Sequence, residues 1–574
     1  MILKALTDHY EALSARGEIA RTGWGPERVS FALVLSEGGD LEQLIPLVTQ
    51  VERGKKMVDV PRTFTVPVRV KRTVGIKSNF LCDNSSYFFG FDDKGKAARS
   101  MECFAAAKAL HQNLLVDVDH PAARAICRYF DRWQPEATHE HPALLPYLDS
   151  LASANLLFMV GDNFAPDIPV IQVAWQRHYD DNDSLAKSFC LVTGRMDAIP
   201  AIHGAVKGIP GAQTAGASLV SFNAPAYHSY GIEDNEADVP IGAYAAFAYV
   251  SALNHLISDR DHRFQVGDTL VVYWAERAEP EPQAMFSLFA TPKPDENARL
   301  AGIMDNVRRG LPVAGVDMQS RFYVLGISPN AARLSVRFFH VDSFGNILDN
   351  LCAHYDRLEV VRPSFDPLIY LSPYHLLNET VNPNSRDKAA SPLLAGALMQ
   401  AILTGGSYPA SLYSAVMIRI RAERHISRGK AAIIKACLIK QPDNNHQIDK
   451  EVLTVSLNHE STNRAYVLGR LFALLEQAQQ AANPGLNTTI KDRYFTSACA
   501  TPGSVFPTLL KLSTAHIKKA SNGRWLEGEK AKLIDKLELD NNPLPTHQSL
   551  QDQGIFMLGY YHQVQARYTK KEEE

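Results

Sequence analysis

The sequence predicts an α+β protein: a mixed α/β body with antiparallel strands over residues 1–380, then an all-α helical bundle over 381–574. Three observations carry this. Short β-branched and aromatic runs alternate with helical patterns up to about residue 365. Beyond it strand signals nearly vanish. Between the two parts, Val381-Asn382-Pro383-Asn384-Ser385-Arg386-Asp387-Lys388-Ala389-Ala390-Ser391-Pro392 crowds turn formers into a linker.

From the N-terminus, Leu3, Leu6, Tyr10 and Leu13 fall at helical spacing, so a helix is expected over about 1–16. Phe31 to Leu35 and Phe64 to Val70 read as strands, and 97–117 and 121–133 as helices. The stretch 240–257 is rich in Ala and Tyr but carries Asn254 and His255; it is too short and polar for a membrane span and reads as a buried helix. Thr269 to Trp274 is a strand. Arg321 to Ile327 and Arg333 to Phe339 form a hairpin joined through Ser328-Pro329-Asn330. Helices are expected near 392–404, 408–424, 428–439, 461–483, 503–520, 525–539 and 547–568. Stripes such as Leu468, Leu471, Leu475 and Ala478, or Met557, Tyr561, Val564 and Tyr568, are bundle core.

At 574 residues, two or more packed units are expected, and 46% hydrophobic with 21% charged residues is an ordinary globular composition. A formal charge of -3 excludes a generally basic nucleic-acid coat, so any such contact must come from local patches. The seven cysteines are scattered singly with no C-x-x-C pair. A reducing cytoplasm is the expected setting, and no apolar signal core opens the chain.

The most informative segment runs from Gly208 to Asn223, with three glycines and a proline among uncharged polar residues. Such a loop offers backbone N–H groups to an anion. Gly211 to Ser218 almost fits G-x-x-x-x-G-K-[ST], but Ala217 replaces the lysine that reaches the terminal phosphates, which argues against nucleotide hydrolysis. Two readings stay open: a Gly-rich turn before a buried strand, or a loop holding a phosphodiester while side chains touch base edges. In the second, Lys207, Gly211, Gln213, Thr214, Ser218 and Asn223 are the DNA-contacting candidates.

Between Val60 and Cys82 there is no acidic residue, while Arg62, Arg69, Lys71, Arg72 and Lys77 are all basic and lead into Asn79 and Asn84. This reads as a phosphate-contact stripe (Arg69, Lys71, Arg72) before an amide-rich reading element (Lys77, Asn79, Asn84), or else as a solvated strand face. A second cluster, Arg419, Arg421, Arg424, Arg428, Lys430, Lys435 and Lys440, is relieved only by Glu423 and suggests a groove for a single strand held by its phosphates. A third group, Lys491, Arg493, Lys511, Lys518, Lys519 and Arg524, reads as solvated surface.

Catalytic readings are weaker. His139-Glu140-His141 and Asp259-Arg260-Asp261-His262 lack metal-ligand spacing, and Asp261 with His262 is expected to hold a turn. The rival reading is a nucleotide hydrolase or a metal-dependent nuclease using the Gly211 loop or Asp261 and His262. No catalytic residue, metal or cofactor is expected.

Several strings together carry a family resemblance: Met1 to Leu6, Lys77-Ser78-Asn79-Phe80-Leu81-Cys82-Asp83-Asn84, the Gly208 loop continuing through Tyr227-His228-Ser229-Tyr230-Gly231, Asp259 to Phe264, Phe322 to Arg333, Tyr466 to Phe472 and Asn487 to Phe495. They run from end to end, and the chain resembles the large subunit of the type I-C CRISPR surveillance complex, Cascade. The resemblance implies a non-enzymatic subunit that sits with the guide RNA 5′ region, backbone subunits and guide-processing subunit. It implies recognition of a protospacer-adjacent motif in target double-stranded DNA, duplex opening, support of the displaced single-stranded DNA in the R-loop, and recruitment of a helicase-nuclease. It further implies an internally translated small subunit made from the C-terminal part; with no methionine between Met417 and Met557, a valine start at Val452 or Val455 is favoured over Met417.

Overall fold

The computed structural model describes residues 1–53, 56–70, 72, 75–91, 97–152, 154–181, 186–222, 239–277, 279–441, 450–538 and 540–568. They pack as two compact units, 1–207 with 214–255, and 208–213 with 256–574.

In the first unit the amphipathic helix α1 (Ile2–Ala15) buries Leu6, Tyr10 and Leu13. The strands β1 (Trp24–Val29), β2 (Phe31–Leu35), β3 (Leu41–Pro46), β4 (Val48–Arg53), β5 (Lys56–Pro67) and β6 (Cys82–Asn84) follow. Helices α2 (Ser85–Phe88), α3 (Ala97–Leu115), α4 (Pro121–Arg132) and α5 (Leu148–Leu151) lead to β7 (Asn155–Val160), β8 (Asn163–Phe164) and α6 (Pro169–Asp180). Strands β1, β5 and β4 make an antiparallel sheet in that order, and a second sheet runs β3-β2-β7-β6 with β8 beside β7. Within it β2 and β7 are parallel, Phe31 facing Leu156, because the intervening helices supply the crossover a parallel pair needs. Aromatic side chains fill the core: Phe88 stacks on Phe158 at 4.4 Å, with Phe130 and Tyr129 around them. The hairpin β9 (Lys187–Phe189) and β10 (Met196–Ala198), then α7 (Ala243–Ser258), complete the elements that begin in this unit.

The expected strand over 64–70 starts earlier and ends at Pro67. Val70 leaves it because its N–H donates to the Asn79 side chain at 3.0 Å instead of to a neighbouring strand.

The second unit holds an antiparallel sheet, β11 (Arg263–Val266), β12 (Thr269–Ala275), β13 (Arg321–Asn330) and β14 (Arg333–Ser343), in that order. Ser328-Pro329-Asn330 belongs to β13, and the hairpin turns instead at Ala331, whose φ is +52°. Helices α8 (Pro280–Ala290) and α9 (Asn297–Arg308) lie between β12 and β13 in sequence. After β14 come α10 (Phe344–Leu358), α11 (Pro373–Asn378), α12 (Pro392–Thr404), α13 (Ala410–Glu423) and α14 (Arg428–Ile439). The last five are α15 (Arg464–Ala482), α16 (Ile490–Ala500), α17 (Pro502–Lys519), α18 (Gly523–Leu537) and α19 (Leu550–Gln565).

The boundary expected near residue 380 lies inside this unit. One continuous core runs from Phe264 and Tyr273 on the sheet through Leu398 and Ile434 to Phe472 and Tyr561, so sheet and helices bury one another. The helical bundle does not close on itself either. Gly554 of α19 packs against Tyr413 and Ile434, and the Tyr561 hydroxyl donates to Val361 O at 2.7 Å. At its centre α15 is buried on nearly every face, and Gly469 and Gly559 let the backbones of α15 and α19 touch.

Candidate nucleic-acid interface

Val206 and Ala217 exchange both backbone hydrogen bonds at 2.8 Å, closing the Gly-rich loop as a narrow bridge. Gly216 permits the closure: its φ is +95°, and a Cβ there would lie 2.8 Å from Val206 O. Asn254 of α7 fixes the loop's start, accepting from Lys207 N–H at 2.8 Å and donating to Ala205 O at 3.1 Å. Within the second unit, Gly208 O accepts from Arg263 at 3.4 Å, and Gly211, with φ +81°, comes against the Pro329 ring.

Gly211, Gln213 and Thr214 are exposed at this turn. Ser218 is not: it is 7% exposed and cannot reach a base edge, because it follows Ala217 into the bridge. Asn223 and the Tyr227 to Gly231 string lie outside the described residues. Residues 219–220 are bends and 221–222 are irregular, neither the buried strand nor the helix a nucleotide-phosphate loop needs, and the next helix described begins at Ala243.

Two cations of the basic stripe, Arg69 and Arg72, are neutralised inside the first unit. Asp83 is fully buried and accepts from Asn79 N–H at 2.8 Å, from Asn84 N–H at 2.9 Å and from the Arg72 guanidinium. Burial raises its carboxyl above the usual range, and Arg72 with the two backbone donors pulls it back. Arg72 also donates to Lys77 O at 2.7 Å and lies 3.9 Å over the Tyr87 ring. Arg69 meets Glu27 at 3.1 Å and donates to Asn155 at 3.3 Å. The other oxygen of Glu27 faces Lys207 Nζ at 3.8 Å, so the structure brings Lys207 and Arg69 to one carboxylate.

Asn79 and Asn84 do not read outward as expected. Asn79 is 3% exposed with its carbonyl on Val70 N–H, and Asn84 caps α2 by accepting from Ser86 N–H at 3.1 Å. Lys77 is exposed; Lys71 lies outside the described residues. The string from Lys77 to Asn84 is therefore a clamp, and sequence reasoning missed its centre. Leu81, in the left-handed region at φ +60°, donates its N–H to buried His111 Nε2 at 3.0 Å, while His111 Nδ1–H donates to Ala107 O at 2.7 Å. No spacing links position 81 to 111.

The cluster on α13 and α14 is not a groove of available cations. Glu423 takes Arg419 and Lys430, and although burial pushes its carboxyl up, those two cations hold it below the usual range. Arg428 binds Asp366 at 3.0 Å and Ile369 O at 2.6 Å. Arg421 donates to Gln553 at 2.6 Å. Lys435 is buried against Glu359 O at 2.6 Å, and burial lowers its ammonium. Arg421, Arg428 and Lys430 thus tie elements of this unit together and Arg419 pairs within α13, which argues against their reading as phosphate ligands. Arg424 alone of the arginines in this cluster is exposed, at the left-handed end of α13 with φ +53°.

The third group, apart from Lys491, which is half-buried 5.3 Å over the Tyr560 ring, has the opposite character. Arg493, Lys511, Lys518, Lys519 and Arg524 are all exposed, and only Lys519 has a side-chain partner among the described residues, Asn483 at 2.8 Å.

Asp259 organises the turn that the nuclease reading invokes: it accepts from Asp261 N–H at 2.9 Å and from His262 Nδ1 at 2.9 Å. No helix among the described residues is long and apolar enough to cross a membrane.

No curated protein matches the chain. The family model described as CRISPR-associated protein (Cas_Csd1) matches residues 6–568. A match over nearly the whole length agrees with the end-to-end spread of the motif strings and with their assignment to Cascade. The chain therefore belongs to the Cas_Csd1 family of CRISPR-associated proteins.

Proposed function

We propose that this protein is the large subunit of a type I-C Cascade: it reads the protospacer-adjacent motif in duplex DNA, helps open the duplex beside it, supports the R-loop and recruits the helicase-nuclease that cuts. The family match over residues 6–568 carries this reading. In it the guide RNA reads the target by base pairing, and the protein reads only the short signal and the duplex shape. The exposed turn supports where that happens: Gln213 has an amide able to contact a base or replace a lost base partner, and Gly211 permits close approach. Lys207 and Lys77 supply phosphate contacts.

The protein does no chemistry of its own in this reading. Its partners are the guide RNA, target and displaced DNA, the backbone and guide-processing subunits, and a small subunit translated from within its own C-terminal part. The setting is the cytoplasm. The turn-holding role of Asp259 supports this over a nuclease.

The test uses the assembled complex on a target duplex. Gln213→Ala with Thr214→Ala should slow strand opening, read by permanganate reactivity of unpaired thymines, while leaving assembly intact. Unchanged opening and unchanged preference for the signal would overturn the assignment.

A further inference from the structure

Trp525 is 49% exposed, whereas Trp24, Trp133, Trp175 and Trp274 are all buried. It stands in the first turn of α18, beside Arg524 and just after the end of α17, which carries Lys518 and Lys519 in its last turn. The elbow between the helices is tight. Ala520 N–H bonds His516 O at 3.0 Å, Gly523 N–H bonds Ala520 O at 3.1 Å, and Gly523 packs on Ile517 O with no room for a side chain. Four cationic and aromatic groups within eight residues are therefore held at one corner. Lys511 lies seven residues before Lys518, which puts it on the same helix face about 10 Å along the axis.

The charge here is not offset locally. From Arg493 to Leu526 the chain has no Asp or Glu at all, while Arg493, Lys511, Lys518, Lys519 and Arg524 are exposed. The first acids beyond, Glu527 and Glu529, pair with Lys530 and Lys532 at 2.7 Å each.

We propose that the α17–α18 elbow is a single-stranded nucleic-acid site, with Trp525 stacking on a base and Lys511, Lys518, Lys519 and Arg524 holding the adjacent phosphates. An aromatic face amid lysines and arginines, with no hydrogen-bonding array to choose among bases, suits a strand held without regard to sequence. The proposal rests on the reading of this chain as a DNA-opening subunit, and it moves the expected strand contact away from the internally paired residues of α13 and α14.

The experiment titrates the full chain with a 20-nucleotide oligothymidine, following tryptophan fluorescence and anisotropy of a labelled strand. Binding should quench the fluorescence, since only Trp525 is accessible. Trp525→Ala should abolish the quench and weaken binding about 5- to 30-fold, in line with the loss of one stacked base. The triple variant Lys518→Gln, Lys519→Gln, Arg524→Gln should flatten the slope of log K against log salt by about two units. Wild-type affinity and slope in both variants, with circular dichroism confirming their fold, would overturn the site. If that happens while the assembled complex still opens a target duplex, only this site fails; loss of guide-dependent opening with strand binding intact fails the broader reading alone.

Discussion

Arg72 lays its guanidinium on the carboxylate of fully buried Asp83. That contact decides what a substitution here should do. Arg72→Ala leaves the buried Asp83 with only the longer 3.9 Å contact to Arg69 and its two backbone donors, and should destabilise the first unit by about 3 kcal/mol, read as a lower midpoint in urea. Lys77→Ala, at an exposed position whose side chain holds nothing in place, should leave the midpoint unchanged and flatten the salt dependence of duplex binding by about one unit.

The same reasoning applies to Lys430. It is 4% exposed and bound to Glu423. Lys430→Ala should cost about 3 kcal/mol in unfolding and leave the slope of log K against log salt as in the wild type. A change in slope with no change in stability would restore this lysine to the DNA-binding set.

Acid should unfold the protein through its buried histidines. Burial lowers His111 and His562 to about 4, below the usual 6.5, so between those values the unfolded chain binds protons the folded one refuses. Their stability contribution is complete above about pH 6.5 and is lost as pH falls toward 4. By pH 5 each should cost about 2 kcal/mol, measured as the difference in unfolding free energy from pH 7. His111→Gln should remove its share of that pH dependence, though the variant is less stable at pH 7.

At the helix crossing, Gly469→Ala would drive a methyl into Phe556 O on α19. A loss of more than about 2 kcal/mol is expected in thermal unfolding, because neither backbone can retreat within a packed core. Gly302→Ala in α9, where an added Cβ meets nothing within 4 Å, is the control and should be neutral or slightly stabilising.

The fold was legible wherever local pattern suffices. The helices starting at Pro392 and Arg428 begin where the sequence places them, marked by proline and serine at their first positions. β12 is buried at every position, and its continuous apolar run announces a central strand. Helices such as α8 were missed because apolar residues on several faces blur the helical period. The site was less legible, since counting cations along a sequence says nothing of their distant partners. Arg428 meets Asp366 sixty-two positions away, and Trp24 bonds Gln176 one hundred and fifty-two away. The acid-free run from Arg493 to Leu526 was visible from the start, but only exposure shows which cations face solvent.

In the proposed DNA-opening role, with Glu27 already holding Arg69 and Lys207 on its two oxygens, random duplex would be held briefly, and the protein would let go of wrong sequence and sample the next. In that role this carboxylate would favour search speed over grip; Glu27→Gln should lengthen the dwell on non-target DNA and so slow the finding of the right site.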